Sequence, residues 1–132
     1  MGVSSYLLDT HVFLWLLSQP DKVAQGVRDN LGDPAHTLLV SAASAMEIAT
    51  KTRLGKLDGW PVVTAWQSSV ASIGATELPI SGEDAILAGT LDWDHRDPFD
   101  RLLVAQAIRG AATLVTADHA VQAYPPVAVL PI

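Results

Sequence analysis

No cysteine occurs in the 132 residues. Disulfides and thiolate metal sites are therefore excluded. The absence suits a reducing compartment, so a cytoplasmic location is expected. Positive charge is also scarce. Eight Lys and Arg face fourteen Asp and Glu, a net charge of −6, and the chain is not the uniformly basic kind of nucleic-acid binder. Its basic residues do cluster, Lys51, Arg53 and Lys56 in one group and Arg96, Arg101 and Arg109 in another. Local charge, not the total, sets the field at a site. No apolar run is long enough to cross a bilayer: residues 12–17 fall far short. The first residues show neither the basic segment nor the apolar core of a leader, and no membrane role is expected. There is no nucleophile elbow, no glycine-rich phosphate loop and no histidine pair at helical metal-binding spacing. Internal repeats and low-complexity segments are lacking too.

What is present is apolar and patterned. Apolar residues make up 49% of the chain, enough to argue against disorder and for a single domain spanning 1–132. Residues 3–8 read as a buried strand and 11–17 as an apolar helix. Asp21 is a plausible N-cap for a helix running towards Leu31, and Gly32-Asp33-Pro34 is a turn. A second strand is expected at 38–41 and a helix at 43–53, closed by Gly55. One helix is expected from Trp60-Pro61 to Ile73, then a strand at 75–78. A helix follows from Ser81 to about Leu91. Asp97-Pro98 opens the clearest helix, and 113–116 is a fourth strand. A fifth at 127–130, flanked by prolines, suits a sheet edge. Strands alternating with helices predict an α/β fold with a parallel sheet covered on both faces.

Four acids stand where these segments meet: Asp9 after the first strand, Glu47 after the second, Asp100 at the start of the clearest helix and Asp118 after the fourth strand. In parallel sheets ligands bind beyond the carboxyl ends of the strands. Glu47 and Asp100 are both read as first-turn residues. Carboxylates gathered there raise one another's pKa or require a cation, and a hard divalent ion is the natural one. Each acid also has a structural use. Asp9, Asp97 and Asp118 can cap helices, and Ser44-Ala45-Met46-Glu47 fits a capping box.

The runs Leu7-Leu8-Asp9-Thr10-His11 and Ser41-Ala42-Ala43-Ser44-Ala45-Met46-Glu47-Ile48 resemble the start of a PIN-domain nuclease. His95-Arg96-Asp97-Pro98-Phe99-Asp100-Arg101-Leu102-Leu103-Val104-Ala105-Gln106-Ala107 is similar to the central signature of VapC-type toxins. Thr113-Leu114-Val115-Thr116-Ala117-Asp118 matches the last acidic motif, and Lys51 with Gly55-Lys56-Leu57 resembles one VapC subgroup. The likeness covers almost the whole chain. It implies a three-layer α/β/α PIN-like domain with a central, mostly parallel sheet of about four to five strands. It implies a metal-dependent endoribonuclease, with Asp9, Glu47, Asp100 and Asp118 as catalytic residues and metal ligands. Mg²⁺ is the implied cofactor and Mn²⁺ a possible substitute. The implied partners are a VapB-type antitoxin, RNA, and a second copy of the chain, giving a homodimer and a toxin–antitoxin hetero-oligomer.

Asp97 is read mainly as the cap of the helix carrying Asp100. Thr10 and Thr116 are expected to support the acids. Arg101 is read either as a phosphate contact or as a surface residue. Lys51, Arg53 and Lys56 are read either as RNA-backbone contacts or as a solvated face. No histidine is assigned a role, and His36 and His119 are expected to face solvent. The tryptophans are expected in the core or at interfaces. A competing reading is a non-catalytic PIN-like module that holds a basic peptide in its acidic pocket. A receiver-like or phosphatase-like α/β protein shares only the Asp after the first strand.

Overall fold

The computed structural model describes residues 4–132. Val3, placed in the first strand from the sequence, lies outside the described residues. Five strands form one sheet in the order β3-β2-β1-β4-β5, and every neighbouring pair is parallel. They are β1 (Ser5–Leu8), β2 (Thr37–Ser41), β3 (Thr76–Leu78), β4 (Thr113–Thr116) and β5 (Val129–Pro131). The central strand β1 aligns Leu7 with Leu39 on one side and with Leu114 on the other. Pro131 falls on the edge strand, where a missing donor costs least.

The alternation of side chains along the strands builds two cores. Tyr6, Leu8, Leu38, Val40 and Val115 face one side. There they meet Val12 and Phe13 of α1 (Thr10–Ser18), Leu31 of α2 (Gln25–Leu31), Ile48 of α3 (Ala42–Arg53) and Val70 of α5 (Trp66–Ser72). Leu7 and Leu114 face the other side. They meet Leu103, Val104 and Ala107 of α7 (Pro98–Arg109) and Val121 of α8 (His119–Gln122). The result is the three-layer α/β/α arrangement. The remaining helices are α4 (Trp60–Thr64) and α6 (Gly82–Thr90). A side-chain network ties α6 to α7: Gln106 and Arg109 both donate to the Asp84 carboxylate, at 3.3 and 2.6 Å.

Two helical expectations need correction. Asp21 does not cap α2. Pro20 starts a single 3₁₀ turn, Pro20–Lys22, and Val23 then turns extended and fully buried. The helix restarts at Gln25 without a side-chain cap. The expected helix from Trp60 to Ile73 is two helices, because Ala65 leaves helical dihedrals (φ −121°, ψ 44°). The preceding Val62-Val63-Thr64 is a β-branched run that resists helix continuation. Gly55, at φ +76°, ends α3 as expected.

Candidate functional site

After β1 the chain builds outwards to β2 and β3, and later returns to the other side of β1 as β4 and β5. The strand order therefore reverses between β1 and β4, which makes a crevice beyond their carboxyl ends. Asp9 directly follows β1, and Asp118 stands just past β4. Glu47 comes from α3 and Asp100 from the first turn of α7. These four, with Asp97, line one cleft of about 300 Å³, together with His11, Trp15, Lys51 and Ala117.

Local structure explains how each acid is held. Asp9 is the N-cap of α1: one carboxylate oxygen accepts from the His11 amide at 3.1 Å. The other accepts from the Thr116 hydroxyl at 2.7 Å, across the β1–β4 seam. Asp97 caps α7, accepting from the amides of Phe99 and Asp100, with Pro98 in the first turn. That cap sets Asp100 at the third helical position. Asp118 caps α8 through the Val121 amide at 3.1 Å.

Glu47 departs from expectation. It lies in the second turn of α3, because Ser41 is the N-cap and accepts from the Ala43 amide. There is no capping box with Ser44. The buried Glu47 carboxylate instead accepts from the Thr10 hydroxyl at 2.6 Å and from the Lys51 ammonium at 2.5 Å. The Ser44 hydroxyl bonds Thr10 in turn, at 2.8 Å. Thr10, Ser44 and Glu47 thus form a polar chain between α1 and α3.

The electrostatics follow from this crowding. Burial pushes the Asp9 carboxyl above its ordinary value, opposed by Thr116 and the His11 amide. Asp100 is pushed up to about 6, chiefly by burial. The His95 hydrogen bond opposes that rise, and the charges of Asp97, Asp9 and Asp118 add to it. Burial works against the charge on Lys51, but the bond to Glu47 outweighs it, and Asp97 and Asp100 add their attraction. The net effect holds the Lys51 ammonium above its usual range.

The donor set of the cleft is carboxylate oxygen, hard and anionic, with no thiolate. It fits a hard divalent cation such as Mg²⁺ or Mn²⁺, which would relieve the like-charge crowding at Asp100. As the side chains stand, no three such groups among the described residues are placed to hold a metal ion. Each acid accepts a hydrogen bond from a donor of the protein itself, and joint coordination requires the carboxylates to turn towards one another within the cleft.

Several basic and aromatic residues lie differently from the sequence reading. Arg101 is not a free surface group. Its guanidinium donates to the carbonyls of Ala88, Leu91, Trp93 and His95, at 2.8–2.9 Å, and pins the segment before α7. Arg53 and Lys56 are exposed, whereas Lys51 reaches into the cleft. Arg109 pairs with Asp84, away from the acids of the cleft. His36 is largely buried, accepting from the Ser4 amide and packing edge-on to Tyr6. His119 is exposed, as expected. Trp60 is exposed, and the other three tryptophans are partly buried. His95, to which no role was assigned from the sequence, bonds Asp100 through its ring at 2.7 Å. Its place five residues before Asp100, in the same motif, was the available signal.

No curated protein sequence matches the chain significantly. Among solved structures, VapBC2 from Rickettsia felis, bound to a promoter DNA fragment, aligns with a TM-score of 0.70 and 17% identity. The alignment covers 96% of this chain and 98% of that one. DNA-bound VapBC from Salmonella typhimurium aligns at 0.69 and 15% identity, over 98% of both chains. VapBC-1 from nontypeable Haemophilus influenzae aligns at 0.61 and 17%, over 96% and 97%. At these identities the likeness is one of fold. The sequence itself matches the PIN domain over residues 6–125, nearly the full length described, and the chain belongs to the PIN-domain family.

Proposed function

We propose that this chain, read as one PIN domain over 1–132, is a metal-dependent endoribonuclease and the toxin of a VapBC-type toxin–antitoxin pair. One observation carries the reading: acids from four separate elements line a single cleft at the strand switch point. Asp9, Asp100 and Asp118 are proposed to hold Mg²⁺ or Mn²⁺, and Glu47 to reach it directly or through water. Such an ion supplies Lewis acidity, activating a water for in-line attack on the phosphodiester and neutralising charge on the phosphate.

The chain's own residues do the rest. Thr116 fixes one oxygen of Asp9, and Thr10 fixes Glu47. Asp97 orders the first turn that presents Asp100. Lys51 places a cation at the wall of an otherwise acidic cleft, where a phosphate oxygen would meet it. RNA as substrate follows from the resemblance to VapC-type toxins. The VapBC neighbours support a VapB-type antitoxin as partner; a homodimer and a hetero-oligomer of the two proteins follow from the resemblance to VapC-type toxins. An acidic cleft favours a partner that brings a basic side chain to it.

Cleavage of RNA by the purified protein tests the activity. The expected outcome is fragments with 5′-phosphate ends in Mg²⁺ or Mn²⁺, stopped by EDTA and by Asp9→Asn. Cleavage that persists in EDTA, or in Asp9→Asn, contradicts the reading. The other reading, a module that holds a basic peptide, draws on Lys51, whose ammonium already sits on Glu47. It predicts binding of a basic peptide and no cleavage under any metal.

A further inference from the structure

We infer that His95 is a positioning residue: it fixes the Asp100 carboxylate for metal binding, and a stack of aromatic rings fixes His95. The inference rests on the metal-site reading above. His95 Nε2 lies 2.7 Å from one Asp100 oxygen, Oδ2. An ionised carboxylate only accepts, so the Nε2–H donates. The other Asp100 oxygen has no side-chain or amide donor among the described residues, which leaves it for a cation. A carboxylate held by one oxygen presents the other in a defined direction. Such outer partners orient the groups that bind a metal.

The imidazole is itself fixed from two sides. Its ring stacks on Trp93 with centroids 4.6 Å apart and planes inclined by 24°. Trp93 stacks in turn on Tyr124, at 4.5 Å and 20°. Tyr124 belongs to the core under α7 and α8, so the stack runs from the core to the cleft. Along the backbone, Arg101 donates to the carbonyls of both Trp93 and His95, at 2.8 and 2.9 Å. Arg101 neighbours Asp100 on α7. The helix that carries the acid therefore also grips the segment that carries its partner. A histidine needed only for packing would not require its nitrogen to point at the acid.

The variant that separates the two roles is His95→Phe, which keeps a ring for the stack and removes the donor. Mn²⁺ binding to the full chain is measured by calorimetry for wild type, Asp100→Asn, His95→Phe and His95→Gln. RNA-cleavage kinetics are measured on the same four proteins. The expected result is a fall in Mn²⁺ affinity of about 10–100-fold for His95→Phe, the usual effect of removing such a partner. Thermal melting stays near wild type. The loss in cleavage falls on kcat and leaves KM for RNA little changed. His95→Gln retains an amide donor and recovers part of the affinity. It also serves as the test if His95→Phe fails to fold. Wild type and His95→Phe binding Mn²⁺ equally, with Asp100→Asn defective, overturns the role of His95 alone. Wild type that binds no Mn²⁺ overturns the metal reading, and this inference with it.

Discussion

Asp100 is where the forces of the cleft oppose one another most directly. Burial and three neighbouring acids push its carboxyl from 3.8 to about 6, while His95 holds it down. Ionising it in the folded protein therefore costs more than in the unfolded chain. Its contribution to stability is present below pH about 4 and is lost as pH rises to about 6. Asp100→Asn should remove that loss. In metal-free protein, urea unfolding of the variant should show a gain over wild type at pH 7–8. The gain should shrink towards zero near pH 4. An advantage independent of pH contradicts the account. Three of the four acids were legible at this scale, because Asp9 and Asp118 cap helices and Asp100 follows an Asp-Pro start. Glu47 was legible only as an acid. Its partner Thr10 is 37 residues away, and no local pattern shows such a contact.

Among the elements, the N-caps at the strand ends do most of the placing. Ser41, Asp9 and Asp118 each end a strand segment and open a helix, so their helices start at the same edge of the sheet. A cap of this kind contributes about 1 kcal/mol. Packing between elements is less forgiving. A Cβ on Gly59 would stand 2.6 Å from both Ile48 Cγ2 and Thr52 Oγ1, under the end of α3. Gly59→Ala should cost about 1–3 kcal/mol through overpacking, read as a lower urea midpoint. Gly26 in α2 has open space around it. Gly26→Ala should be neutral or stabilise by up to about 1 kcal/mol. Equal effects from the two would contradict this packing. Strand identity was legible because buried parallel strands read as short apolar runs. The break at Ala65 and the 3₁₀ turn at Pro20 were not read, although the β-branched run Val62-Val63-Thr64 and Pro20 itself are local signals for them. Arg101 was illegible for a different reason: its carbonyl partners lie in α6 and in the segment between α6 and α7, and tertiary packing brings them together.

Over the whole molecule, parallel topology turns a scattered acidic set into a single cleft. A net charge of −6 conceals this concentration. Five acids share the cleft with one lysine. The order and spacing of the motifs were legible in the sequence, and so was the fold they imply. The caps made by Asp9, Asp97 and Asp118 were legible too, but not the bonds that Glu47 accepts from Thr10 and Asp100 from His95. Charge on this scale, gathered in one place, is held more cheaply with a divalent ion than without one. The most direct test is a crystal of the protein soaked in Mn²⁺ and measured at a wavelength where manganese scatters anomalously. The account predicts an anomalous peak in the cleft within coordination distance of Asp9 and Asp100, and none there in an Asp100→Asn crystal. An empty cleft at saturating Mn²⁺, or a peak bound only elsewhere, would contradict it.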